Sequence, residues 1–241
     1  MGSRIKLRGE LHVHSTFSDG RDSPGQVILE AVNKELDFIS ITDHDTFKGS
    51  LKAVKAVSSM NLDIIVIIGA EIRSDEGDLL IYCPETPIDR FPSNALELAD
   101  YSREHDCIVV PAHPFDIHRK GIGDLVYSYR WDAIEVFNAF SDAFSNRKAL
   151  QAARDMGVPG IAGSDAHVSE AVGSALTLVE VDDFSAEAII EAIKRGYVKP
   201  LPGRPGPRGI TSTVVWSIKK RFKKKEAFEQ EDYSYSLYGG L

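Results

Sequence analysis

Five histidines, one glutamate and two aspartates recur along this chain in settings that suit metal chemistry. His12 and His14 lie in Gly9-Glu10-Leu11-His12-Val13-His14-Ser15, and Asp19 follows in Phe17-Ser18-Asp19-Gly20. His44 lies in Thr42-Asp43-His44-Asp45, Glu71 in Gly69-Ala70-Glu71, and His113 in Pro111-Ala112-His113-Pro114. Asp165 and His167 close the series in Gly163-Ser164-Asp165-Ala166-His167. Imidazole and carboxylate are the donors that bind zinc, iron and manganese. Isolated histidines in strands are usually structural. Here the residue types and their placement after apolar runs agree, which favours a site for several metal ions.

The elements that must position these groups alternate between strand-like and helix-like runs, which predicts an α/β fold. The first strand is expected from Ile5 to His14, with Glu10, His12 and His14 on one face by period-two spacing. Ser23-Pro24-Gly25-Gln26 reads as a capping box opening a helix. Further strands are expected at Phe38–Thr42, Ile64–Ala70, Leu79–Tyr82, Ile108–Pro111, Ala133–Phe137, Val158–Ala162 and Leu176–Val181. Helices are expected at Leu96–His105, at Ala149–Met156 with Gly157 as its cap, and from Ser185. Most candidate ligands follow strands. In a barrel of parallel strands such ends converge on one mouth.

With 241 residues, the chain can build one sizeable core. Hydrophobic residues at 43% and charged residues at 27% are those of a soluble globular protein, and no apolar run is long enough for a membrane span. Met1–Lys6 lacks the apolar core of a signal peptide. Cys83 and Cys107, the two cysteines, form no Cys-x-x-Cys motif and read as reduced buried thiols, which makes a cytoplasmic location the default. The net charge of −8 is uneven: residues 219–241 carry six Lys/Arg against four Asp/Glu, leaving net −10 for residues 1–218. The body is thus no general polyanion binder, and any phosphate must be held by ions and a few local cations.

Taken in order, His12-Val13-His14, Thr42-Asp43-His44-Asp45, Glu71, His113 and Gly163-Ser164-Asp165-Ala166-His167 resemble the polymerase and histidinol phosphatase (PHP) family over roughly residues 7–200. The resemblance implies a distorted seven-stranded β/α barrel and hydrolysis of phosphoesters with two or three metal ions (zinc, manganese or iron). It implies that His12, His14, Glu71 and Asp165 hold one ion, that Glu71 bridges to a second ion also bound by His113, and that Asp19, His44 and His167 hold a third. Catalysis by a metal-bound hydroxide would then depend on Glu71, Asp165 and His167. The chain departs from some members in having Glu135 and Asn138 on a strand where they have histidine. It also has Asp78 where related members often have histidine. Two ions with an optional third is the expectation.

Several other residues are candidates for the same chemistry. His118 and Arg119, with Lys120, follow the His113 strand and could hold a substrate phosphate, as could Arg147. Ser15, Asp43 and Asn138 are candidate second-layer partners that orient ligands. His105, near a helix C-terminus, reads as structural. The expected catalytic domain spans residues 1–202. Residues 203–241 would be a Pro/Gly linker, a basic helix-like segment and a mobile tail. The run Lys219–Lys225 reads first as a solvated helix face and second as a weak nucleic-acid contact. The favoured substrate is a nucleotide or short oligonucleotide. Histidinol phosphate, a sugar phosphate, a C–N or C–O bond hydrolase and a non-catalytic metal-binding scaffold are the alternatives. The sequence gives no oligomeric state.

Overall fold

A computed structural model describes residues 4–238, and side chains in the last helix as far as Phe222. In chain order the elements are β1 (Ile5–Glu10), α1 (Pro24–Asn33), β2 (Phe38–Ile39), α2 (Lys48–Met60), β3 (Ile65–Val66) and β4 (Ile68–Arg73). There follow β5 (Asp78–Cys83), α3 (Ala95–Glu104), β6 (Ile108–Pro111), β7 (Ile134–Asn138) and α4 (Ala143–Met156). The chain continues with β8 (Gly160–Gly163), β9 (Leu176–Val181), α5 (Ala186–Lys194), β10 (Val198–Leu201) and α6 (Pro207–Tyr238).

Local chemistry sets the helix limits. Ser23 and Gln26 form the expected capping box of α1, with Pro24 in its first turn. Gly157 ends α4 in the left-handed region at φ 66°. The helix itself starts earlier than expected, because Asp142 caps it by accepting from Phe144 and Ser145 N–H.

The fold is mixed α/β, but its described strands fall into three hydrogen-bonded sheets and do not close one seven-stranded ring. The first sheet runs β10-β9-β1-β2-β3, the second β4-β5-β6, and the third β7-β8. Parallel pairing holds for β1 with β2, β2 with β3, and β7 with β8. β9 and β5 run antiparallel to their neighbours. The run expected as a single strand from Ile64 to Ala70 is divided: β3 pairs in the first sheet and β4 in the second, with Ile67 buried at the break. Isolated parallel bridges at Val13–Ala166 and His44–Glu71 tie the sheets together beside the candidate ligands.

Apolar residues from all three sheets and the covering helices fill the interior. Leu79, Leu80, Ile81 and Tyr82 of β5 are fully buried on both faces, as expected for a strand enclosed on two sides. Pro200 lies within β10. That strand is at the sheet edge, where the missing N–H of proline is tolerated.

The cysteines require a correction. Cys83 and Cys107 are buried as expected, but they are joined by a disulfide rather than reduced. Cys83 ends β5 and Cys107 immediately precedes β6, so antiparallel pairing places them opposite each other with Cα atoms 4.2 Å apart. The reduced-thiol premise for a cytoplasmic address therefore falls away. No helix among the described residues is long and apolar enough to cross a membrane.

Candidate metal centre

The centre is assembled around the end of β1. Glu10 is fully buried, and its Oε1 accepts from the backbone N–H groups of Leu11 (3.1 Å), His12 (3.2 Å) and Ser164 (2.9 Å). Its Oε2 accepts from Gly173 N–H at 3.0 Å. Burial pushes this carboxyl up to about 7, against the pull of those bonds. Backbone bonds from Asp165 N–H to the His12 carbonyl (2.8 Å) and from His14 N–H to the Ala166 carbonyl (2.9 Å) lay the two motifs side by side. A Cβ on Gly163 would sit 2.5 Å from His12 Cβ, so only glycine permits this approach.

Four ligand atoms then converge. His14 Nε2 lies 3.1 Å from Glu71 Oε2, 3.2 Å from Asp165 Oδ1 and 3.3 Å from His12 Nε2. His12 Nε2 lies 3.3 Å from Glu71 Oε2 and 3.7 Å from Asp165 Oδ1. A tetrahedral shell with ligand bonds of about 2.0–2.1 Å has edges of roughly 3.3–3.4 Å, so these spacings fit one ion. The His12 Nδ1–H donates to Glu135 Oε1 at 3.0 Å, which leaves Nε2 with its lone pair facing the cluster.

Two further groupings adjoin the first. His113 Nε2 lies 3.0 Å from Glu71 Oε1, the oxygen opposite the one shared with His12 and His14. Asp78, at the start of antiparallel β5, comes close to Glu71 and His44. On the other side, Asp19 Oδ1 lies 3.0 Å from His167 Nε2, 3.9 Å from His14 Nδ1 and 4.0 Å from His44 Nε2. All eight residues expected to ligate are thus brought into one region, and His14 and Glu71 serve more than one grouping.

Polar satisfaction and charge test whether ions fit here. Among the described residues, seven buried side-chain polar atoms make no hydrogen bond, and five belong to this centre: His14 Nδ1, Asp19 Oδ1, His44 Nδ1, Asp78 Oδ1 and His113 Nδ1. Unbonded buried polar atoms are costly, so their concentration marks a place built for a ligand. Burial opposes charge on His12, His14 and His113, yet the facing carboxylates raise all three, His14 to about 10. Burial likewise opposes ionisation of Glu71 and Asp165. Facing positive charge, led by His12 for Glu71 and by Arg119 for Asp165, outweighs it and holds both well below the usual range. Burial pushes Asp78 up to about 7, with the Glu71 charge adding to the shift. Its buried carboxylates thus favour positive charge beside them, and the donor set fits divalent ions of the zinc, iron and manganese type.

His113 at φ 30° and Asp165 at φ 54° occupy the left-handed region, which costs a non-glycine residue about 1–2 kcal/mol. Both stand just beyond a strand, where the turn aims the side chain inward.

The family relation follows from this chain's sequence. The PHP domain model matches residues 10–118, and a PHP-associated model matches residues 143–198. The chain belongs to the PHP family. A relative from Methanocaldococcus jannaschii, named only as an uncharacterized protein, is 27% identical over 158 residues, covering 60% of this chain and 90% of its own. A phosphoribosyl 1,2-cyclic phosphate 1,2-diphosphodiesterase of Eggerthella lenta is 38% identical over 65 residues, 27% of this chain and 24% of that protein. Among solved structures, a two-domain Bacteroides vulgatus protein containing a predicted PHP-like metal-dependent phosphoesterase is similar with TM-score 0.69 and 20% identity. That match covers 83% of this chain and 66% of the other.

Around the PHP centre, the remaining candidates divide. Asn138 is buried, with Nδ2 3.3 Å from both Glu135 Oε2 and Asp165 Oδ2, and so braces two carboxylates. Ser15 and Asp43 bond to each other instead of to an imidazole: Ser15 N–H and Oγ donate to Asp43 at 2.7 and 2.6 Å, and Ser18 Oγ also donates at 2.6 Å. They pin the loop that carries Asp19, because the Asp43 carboxylate is saturated by that loop. His118, Arg119 and Lys120 line a cavity of about 240 Å³ over the centre, and Arg119 pairs with Asp165. Arg147 does not join them, since it lies on the exposed face of α4.

Glu135 does more than the sequence alone suggests. Expected only to stand where some members have a histidine, it is fully buried and orients His12 while Oε2 accepts His113 N–H at 2.7 Å. A charged residue inside the apolar run 133–137 was the available signal. α6, whose basic run is expected first as a solvated helix face, also reaches the centre: Lys220 Nζ pairs with Asp19 Oδ2 at 2.6 Å. No local pattern linked residues so far apart.

Proposed function

We propose that this PHP-family protein is a hydrolase that cleaves a phosphate mono- or diester, with nucleotides or short oligonucleotides as the favoured class. The observation that carries the reading is the convergence of His12, His14, Glu71 and Asp165 donor atoms beside a cavity lined with cationic side chains. Those four residues would hold one ion. Glu71 and His113, with Asp78 adjacent, would hold a second, and Asp19, His44 and His167 a third. Bound divalent ions would supply Lewis acidity, neutralising charge on phosphate oxygens and lowering the pKa of water.

The chain's own groups would do the rest. Arg119, His118 and Lys120 at the cavity rim would draw in and orient the anionic ester. Burial of Glu71 and Asp165 keeps bulk water from screening the charges that position it. Glu135 and Asn138 would hold His12 and Asp165 in place. The Eggerthella lenta relative is named a phosphodiesterase, which supports a diester substrate. The same reading takes residues 1–202 as the catalytic domain. It treats the three sheets as arcs of a distorted seven-stranded barrel, with the bridges at Val13–Ala166 and His44–Glu71 supporting that arrangement.

The test is elemental analysis of the purified protein beside turnover of p-nitrophenyl phosphate, bis-p-nitrophenyl phosphate and a nucleotide panel with added manganese. Turnover is expected, and His14→Ala, Glu71→Ala and Asp165→Asn should each lower it by roughly 10²-fold or more. Full activity in all three variants would overturn the mechanism. Bound metal without turnover of any ester would identify a scaffold instead.

A further inference from the structure

α6 lies beyond both segments matched by the family models, yet it forms one wall of the site. Three side chains fasten it. Ser212 Oγ donates to Glu170 Oε1 at 3.0 Å, Trp216 Nε1–H donates to the Asp19 carbonyl at 2.9 Å, and Lys220 Nζ reaches Asp19 Oδ2 at 2.6 Å. Their i, i+4, i+8 spacing puts them on a single helix face. Asp19 thus receives the helix through its backbone and its side chain together, at the rim of the metal centre.

This docking borders a second, half-open cavity of about 460 Å³. Trp216, Lys220 and Arg221 of α6 line one side, and Arg119 and Phe140 the other. It shares His118, Arg119, Asp165 and His167 with the 240 Å³ cavity over the centre, so the two spaces adjoin along one edge of the ligand cluster. The smaller space lies against the ligands, and the larger provides room for a substrate body bigger than one phosphate.

The lining has two chemistries. Arg119, Lys220 and Arg221 are cationic, and Lys220 and Arg119 are held in place by Asp19 and Asp165. Phe140 and Trp216 present rings, with the Arg119 guanidinium 5.7 Å over the Phe140 ring. Cations that track a phosphate backbone, interleaved with rings on which bases stack, are how proteins hold single strands. Residues 1–218 carry net −10, which repels polyanions over most of the surface. Lys220 and Arg221 of α6 bring the opposite sign to this cavity.

The geometry points to a second substrate compartment in which α6, Arg119 and Phe140 hold the nucleotide unit next to the scissile phosphate, making the substrate a single-stranded oligonucleotide. The inference deepens the phosphoesterase reading and rests on it for the position of the scissile bond. It treats α6 as part of the active site, and it disfavours mononucleotides and sugar phosphates, which would leave the compartment empty.

The test uses the full chain loaded with manganese and a fluorescein-labelled thymidine tetranucleotide with phosphorothioate linkages. Anisotropy gives its affinity between about 50 and 200 mM salt. Lys220→Ala/Arg221→Ala should weaken binding by about tenfold or more and reduce the slope of log affinity against log salt by about 1.4, the value for two lost phosphate contacts on a single strand. Arg221→Lys, paired with native Lys220, should recover most of that slope. The ratio of kcat/KM for an unmodified tetranucleotide to that for p-nitrophenyl phosphate should fall with the affinity in the double variant. Wild-type binding no tighter than that of thymidine 5′-monophosphate, or a double variant with unchanged affinity and slope, would overturn the proposal. Failure of the phosphoesterase reading is distinguishable: the wild type would then turn over no ester, while tetranucleotide binding and its salt slope would still report on the compartment.

Discussion

Two candidate ligands in this protein are braced by buried neighbours, His12 by Glu135 and Asp165 by Asn138. His12 is the clearest case. Its Nε2 faces the cluster because Nδ1–H is committed to Glu135. Glu135 also accepts from His113 N–H and so coordinates two ligand segments. Outer partners of this kind are typically worth 10–100-fold in metal affinity. Glu135→Gln removes the charge and keeps the shape. It should weaken manganese or zinc binding by roughly 10–100-fold in a competition titration, with the circular dichroism spectrum unchanged. Unchanged affinity would mean that His12 is oriented by packing alone.

At the scale of elements, strand direction decides what reaches the centre. β1, β2, β7 and β8 deliver His12, His14, His44, Asn138 and Asp165 just after or at their C-terminal ends. β5 runs the other way, so Asp78 at its start arrives at the same place. The β5–β6 pairing also creates the disulfide between Cys83 and Cys107, which lie 24 positions apart and close a loop that includes α3. A cross-link over a loop of that length contributes about 3 kcal/mol in the chain-entropy model. Reduction with dithiothreitol should therefore lower Tm by roughly 5–10 °C in a thermal scan. A Tm independent of reductant would show that the pair contributes nothing to the folded state.

For the molecule as a whole, the centre couples stability to pH and to metal. In the metal-free protein, Glu71 and Asp165 have folded-state pKa values below their unfolded ones. Their contribution is present above about pH 4–4.5 and is lost as pH falls further. His12 and His14 are shifted the other way, His14 to about 10. Their contribution is complete below about pH 6.5 and is lost as pH rises towards 10. Metal-free protein should thus be most stable near pH 5–6.5, with Tm falling by several degrees at about pH 9. A divalent ion requires deprotonated imidazoles, so its stabilisation should grow over the same rise in pH. At a thousandfold excess over Kd it would contribute about 4 kcal/mol, or roughly 8–16 °C in Tm. Scans with chelator and with manganese at three pH values would show the two curves diverging. Parallel curves would exclude a centre that exchanges protons for metal.

The amino-acid sequence by itself determined the donor set and most of the elements that carry it. Donor chemistry belongs to residue type, and strand and cap signals are local: the Ser23–Gln26 box and the strand Ile108–Pro111 are as expected. The sequence did not reveal the partnerships across the fold. Tertiary structure alone decided that Glu135 orients His12, that Asp43 pins the Asp19 loop, that Cys83 meets Cys107 and that α6 borders the site. Each is a contact between side chains 24 to 201 positions apart. Such contacts arise from sheet register and packing, which no short-range periodicity encodes.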